Sequence, residues 1–159
     1  MKILIPVVVV IAVIALVVFL LKSRKSDESL AYTTIEQIPT IVAKLQQTGK
    51  DSSFVVFMFQ IQGNSDELFP NLQYSIENGK VGFDWVLIAP QNIKDEGAIS
   101  AFVTNQGYVP SKREMNGVRF VRVEGTGIEN LGVKVLRDFY HLAPDTKLEL
   151  IVDGFDLKH

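Results

Sequence analysis

The chain has 159 residues, 16 basic and 18 acidic side chains for a net charge of −2, two histidines and no cysteine. The missing cysteine excludes thiol catalysis, disulfide staples, cysteine-ligated zinc, iron–sulfur clusters and lipid attachment at cysteine, and two histidines, one of them the terminal His159, leave little for histidine-based metal chemistry. Mean hydropathy is nevertheless positive, so the apolar residues must be concentrated in one region.

That region is the start of the chain, where Ile3 to Leu21 is a run of 19 residues without a charge. As a helix it would span about 28 Å, close to the roughly 30 Å hydrocarbon core of a bilayer. The expectation is a single-pass transmembrane helix with the lipid bilayer as its partner. A cleaved signal peptide is the alternative, but its apolar region runs to about 7 to 15 residues and closes on a small-x-small site, whereas this run ends Phe19-Leu20-Leu21-Lys22. Lys22, Arg24 and Lys25 after the run outnumber Lys2 before it, which places the following domain in the cytoplasm by the positive-inside bias; a periplasmic or extracellular domain is the alternative. The chain divides into a transmembrane anchor with a basic flank at 1–25, a short linker at 26–33 and one domain at 34–159. Without residues 1–25 the chain keeps 12 basic against 18 acidic side chains, or −6. The domain is acidic and long enough to bury a core of its own.

Thr34 opens a helix signature with Ile35, Ile38, Ile41, Val42 and Leu45 on one face and Gly49 as its stop; Pro39 either kinks this helix or marks its true first turn. Phe54 to Phe59 is a continuous apolar run of strand length, read as a central strand covered on both faces. Asn78-Gly79 is a strong hairpin signal, because a two-residue type I′ turn needs positive φ at both positions. Pairing outward sets Glu77 against Lys80, Ile76 against Val81, Tyr74 against Phe83 and Leu72 against Trp85. One face is then apolar and the other, with Gln73, Ser75, Glu77, Lys80, Gly82 and Asp84, is expected to be wet. A helix follows from about Gln91 to Gln106 with Ile93, Ile99, Phe102 and Val103 inward. Asn116-Gly117 repeats the hairpin signal and pairs Glu114 with Arg119 and Arg113 with Phe120. A third helix is expected over about Ile128 to Leu142, closed by Pro144, and Lys147 to Val152 forms a last strand. The order α-β-β-β-α-β-β-α-β gives an α+β fold, an antiparallel sheet with its helices on one face.

Candidate chemistry is sparse. Gly125-Thr126-Gly127 invites a phosphate-loop reading, but Asn130 replaces the glycine a dinucleotide loop needs and no Lys-Ser/Thr follows; Thr126 and Glu129 are spaced as a capping box. His141 suits a helix C-terminus. Asp84 is expected as a solvated carboxylate, with a general base as the alternative. Asp153 and Asp156 around Gly154 fit turn chemistry better than a calcium loop, and Asp66-Glu67 and Asp95-Glu96 fall in a loop and a first helical turn. Lys112, Arg113, Arg119 and Arg122 form the one basic concentration; an acidic domain argues against nucleic acid as its partner, and a solvated surface is the favoured reading. No residue is assigned as catalytic, cofactor-binding or metal-binding, and no cofactor is expected.

With this element order, the stretches Phe54 to Gln60 (FVVFMFQ), Leu72 to Asn78 (LQYSIEN), Asn105 to Pro110 (NQGYVP) and Leu131 to Leu142 (LGVKVLRDFYHL) resemble the type III secretion chaperone-like superfamily, also called the TY-Chap domain, over about Thr34 to Pro144. The membrane anchor, the added strand at Lys147 to Val152 and the apolar length of the first strand depart from that pattern. The resemblance implies a binding domain able to pair with itself or with a partner polypeptide. The resulting expectation is a membrane-anchored, non-catalytic protein-binding domain, chaperone-like or an adaptor. The alternatives are a structural subunit of a membrane complex assembling through its transmembrane helix, and a carboxylate-dependent enzyme working through a residue such as Asp84.

Overall fold

The computed structural model describes residues 31–63 and 68–157. Strand β1 (Ala31–Thr34) leads through a 3-10 turn (Ile35–Gln37) into helix α1 (Ile38–Thr48). Pro39 stands at the start of α1, where it costs no intrahelical hydrogen bond, so it marks the first turn and does not kink the helix. Gln37 Oε1 accepts from Thr33 Oγ1 at 2.8 Å and from Thr34 N at 3.2 Å, tying the strand to the turn. Strands β2 (Phe54–Met58), β3 (Asn71–Glu77) and β4 (Lys80–Val86) follow, then helix α2 (Pro90–Asn105) and strands β5 (Ser111–Met115) and β6 (Val118–Glu124). A 3-10 turn (Ile128–Asn130), a one-turn helix α3 (Leu131–Lys134), a π turn (Val135–Phe139) and strand β7 (Lys147–Asp153) complete the order.

The seven strands form one sheet in the order β1-β7-β2-β3-β4-β6-β5, every neighbouring pair antiparallel. Both hairpin registers fall where the turn residues place them: Tyr74 opposes Phe83 and Ile76 opposes Val81, and Glu114 opposes Arg119. Asn78, Gly79, Asn116 and Gly117 all carry positive φ, as type I′ turns require. β2 is buried along its whole length. Val55 and Phe57 enter the main core beneath the helices, while Phe54, Val56 and Met58 form a smaller cluster on the opposite face with Leu68, Phe69 and Ile151. A run apolar on both faces is the sequence of a strand covered on both.

The main core lies between the sheet and the helical layer and joins Ile38, Val42 and Leu45 of α1, Ile99 and Val103 of α2, and Leu131, Val135 and Leu136 to the inward side chains of the strands. Each fully buried aliphatic or aromatic side chain contributes about 1.5–3 kcal/mol to holding these layers together. Tyr74 ties the sheet to the segment after β6. Its ring packs edge-on against Phe57 and Phe83, its hydroxyl donates to Ile128 O at 3.0 Å and accepts from Gly132 N at 2.7 Å. A side chain at position 132 would meet that hydroxyl at 2.9 Å, so only glycine lets the helix approach so near.

Three expectations are corrected. Among the described residues no helix is long and apolar enough to cross a membrane; α1 and α2 have 11 and 16 residues and each keeps a polar face. The expected transmembrane helix, Ile3 to Leu21, lies outside the described residues, and the single-pass localisation drawn from it is not retained. The strand order gains β1, within the stretch expected as linker, because Ala31 to Thr34 pair with Leu150 to Lys147. The third helix is not continuous. Tyr140 N reaches Val135 O and Leu142 N reaches Leu136 O, wider turns than an α-helix makes, and these bring both Phe139 and Tyr140 onto the core, Phe139 against Phe102 and Tyr140 against Phe59 and Trp85.

Candidate functional site

The face expected to be wet is buried over Gln73, Gly82 and Asp84, half-buried at Ser75 and Glu77, and exposed at Lys80. Gln73, Asp84 and Arg122 are 5%, 3% and 2% exposed, and β6 lies beside β4 so that Asp84 opposes Arg122 directly. Arg122 Nη1 donates to both Asp84 oxygens at 2.9 and 3.1 Å and to Ser75 Oγ at 3.0 Å. Its Nε donates to Glu124 at 2.7 Å and lies 3.2 Å from Glu77, and its Nη2 donates to Lys80 O at 3.3 Å. Ser75 in turn donates to Asp84 at 2.5 Å. A guanidinium is a rigid fork of five donors and suits this many acceptors at once. Gly82 makes room for it, because a Cβ at that position would collide with the guanidinium carbon.

Burial raises the Asp84 carboxyl to about 6, although Arg122 and Ser75 pull it down. For Arg122 burial opposes the charge, but Asp84 and Glu124 outweigh it and hold the guanidinium protonated beyond its ordinary range. Hydrogen bonding to Arg122 holds Glu124 below the usual carboxylate range. The solvated reading of Asp84 is therefore corrected. Both of its oxygens are engaged by Arg122, and the cavity beside the pair, about 30 Å³, is the size of a water and not of a substrate.

From this cluster the contacts run outward to the sheet edge. Glu77, which faces Arg122, also pairs with Arg113 of β5 at 2.5 Å, while Lys112 on the other side of β5 pairs with Glu96 of α2 at 3.0 Å. β5 is hydrogen-bonded to β6 on one side and has no strand on the other among the described residues. Lys112, Arg113 and Glu114 are exposed, Ser111 and Met115 half-buried, and Val109 just before the strand is 83% exposed. The result is a free sheet edge whose Arg113 is paired with Glu77 beside the buried charges and whose Lys112 is paired with Glu96 of α2. Such an edge presents unpaired backbone donors and acceptors to another strand.

The remaining candidates are spread through the fold. The basic concentration is divided: Arg122 is buried, Arg113 and Lys112 are paired on opposite faces of β5, and Arg119 stands opposite Glu114. Gly127, not Thr126, caps the turn after β6, with no side-chain cap bond, so the expected capping box does not form; Thr126 O accepts from Tyr108 instead, at 3.1 Å. A 3-10 turn, one α-helical turn and a π turn follow in succession, not the regular α-helix whose N-terminus a phosphate loop uses. His141 is exposed and takes a left-handed conformation at the end of the π turn. Asp95 accepts from Tyr140 Oη at 2.6 Å, and burial followed by that bond raises the Tyr140 hydroxyl above its ordinary range. Asp153 is the last residue of β7, opposite Phe54, Ser53 Oγ donates to Gly154 O at 2.9 Å, and Asp66-Glu67 lie outside the described residues. Among the described residues no group of three or more histidine, aspartate or glutamate side chains is placed to hold a metal ion.

Sequence reasoning missed the Asp84–Arg122 pair and the role of Asn92. Asn92 is fully buried where Ile93, expected inward, is 46% exposed; its side chain closes on Asn71 through N–H donation to Asn71 O at 2.7 Å and acceptance from Asn71 N at 3.2 Å, and its carbonyl accepts from Trp85 Nε1 at 3.0 Å. The one signal available was an amide residue one turn into a helix beginning with proline. No family model, curated protein or solved structure matches the chain.

Proposed function

We propose that this is a non-catalytic protein-binding domain whose working surface is the β5 edge. The observation that carries the reading is the free side of Ser111–Met115, a strand that forms ion pairs with Glu77 and Glu96 yet is unpaired among the described residues on its outer side. Strand addition to such an edge takes its affinity from main-chain hydrogen bonds and its selectivity from the alternating side chains. A chaperone-like or adaptor role, as the resemblance to secretion chaperone-like domains implies, belongs to the same class. An enzyme centred on Asp84 draws no support from a carboxylate committed to Arg122 and Ser75.

The chain has no cysteine, so Lys112→Cys or Asp138→Cys gives a unique attachment point for a benzophenone. Irradiation of the labelled full chain in an extract of the source cells is expected to give discrete polypeptide adducts from position 112, competed away by unlabelled protein, and none from position 138, which is exposed on the helical layer. Absence of any polypeptide adduct at position 112, or equal adducts at both positions, would end this reading.

A further inference from the structure

We infer that the strand received by β5 is β5 of a second copy of this chain, joined in one register; this rests on the reading of β5 as a binding edge. Two copies of a strand pair antiparallel only across a two-fold axis normal to the sheet. That axis keeps each face of the sheet on its own side, so a residue meets only residues of its own face. Side chains at 112 and 114 share the helical face, since Lys112 reaches Glu96 of α2, and Arg113 lies on the other face, where it reaches Glu77.

Three central registers then remain. Each sets like charges against each other at the axis, lysine for a centre at 112, arginine at 113 and glutamate at 114, which is destabilising; centring on Lys112 or Glu114 brings no opposite charges together to offset it. Centring on Arg113 places Lys112 opposite Glu114 of the second copy, twice by symmetry. The arginines that then face each other are each already paired with Glu77. Glu114 is exposed and, with Arg119 opposite it on β6, makes no ion pair among the described residues, so it can meet a charge on its outer side. In the same register Val109, 83% exposed, lies beside the second copy's Asn116-Gly117 turn, where Gly117 has no side chain to obstruct it. The charges that guard an edge against foreign strands thus admit its own copy, and the two sheets become continuous with both helical layers on one side.

Sedimentation equilibrium of the full chain over a range of concentrations tests this with four proteins. The wild type is expected to show a reversible monomer–dimer equilibrium. Lys112→Glu and Glu114→Lys, each turning two attractive pairs into repulsive ones, are expected to weaken it about tenfold. The double variant carrying both changes is expected to restore it, and so is an equimolar mixture of the two single variants, in which each chain supplies the charge the other lacks. A monomeric wild type, four proteins that associate alike, or single variants that fail to recover on mixing would each overturn the inference. Benzophenone adducts at position 112 to other polypeptides alone, beside a monomeric wild type, would leave β5 a binding edge and remove only the second copy as its occupant.

Discussion

Arg122 occupies a position on β6 where alternation alone would put a side chain in water, and it is enclosed by Asp84, Glu124, Glu77 and Ser75 instead. Removing two charges from water is expensive, and their attraction offsets this only when the remaining donors and acceptors are also satisfied. Asp84 reports the imbalance, since its carboxyl is raised from 3.8 to about 6 chiefly by burial. A carboxyl with a folded value above its unfolded one holds its proton more tightly in the native state. Its contribution to stability is therefore greatest below about pH 4, falls as the pH rises to about 6 and is level beyond. Glu124, shifted the other way by Arg122, contributes above its unfolded value of 4.5 and loses that contribution as the pH falls through its lower folded one, a more acidic window that meets that of Asp84 only at its upper end. Urea midpoints of the wild type are expected to decline between pH 4 and 6, and Asp84→Asn to flatten that stretch. Parallel wild-type and variant profiles would show that Asp84 is not the titrating group.

At the scale of elements, polar side chains fasten helices to the sheet where apolar periodicity alone would leave their rotation undecided. Asn92 fixes the first turn of α2 by satisfying both backbone groups of Asn71, and Ile93 consequently turns outward. Tyr74 does the same for the segment Ile128–Lys134 through Ile128 O and Gly132 N. An unsatisfied buried backbone group costs about 1–3 kcal/mol. Asn92→Ala is thus expected to destabilise the domain by about 1–3 kcal/mol in urea denaturation while leaving the far-ultraviolet dichroism unchanged; a cost below about 0.5 kcal/mol, the usual range for surface substitutions, would show that the Asn71 contacts are not structural. The broken third helix belongs to this scale too. Spacings of three and four placed Phe139 inward, but only a wider turn brings Tyr140 beside it, where its ring meets Trp85 and Phe59.

For the whole molecule, the strand order sets a gradient of stability across the sheet. β2 and β3 lie between paired neighbours and are almost wholly buried, whereas β5 ends the sheet with exposed side chains. Native-state hydrogen exchange is expected to be slowest in β2 and β3 and to open β5 well below the global unfolding free energy. Exchange from β5 as slow as from β2 in dilute protein would contradict the gradient.

What could be read from the chain was local. Asn78-Gly79 and Asn116-Gly117 dictated both hairpins and their registers, the unbroken apolar run at Phe54 to Met58 identified a strand covered on both faces, and apolar spacing located α1 and α2 to within about a turn without fixing the rotation of α2. These features depend on residues a few positions apart, whose sterics and periodicity are written in the sequence itself. The placing of β7 between β1 and β2, and of β6 beside β4, depends on how distant segments share one core. Only that arrangement sets Asp84 against Arg122, turns an expected wet face into a buried ionic one, and leaves β5 as a sheet edge.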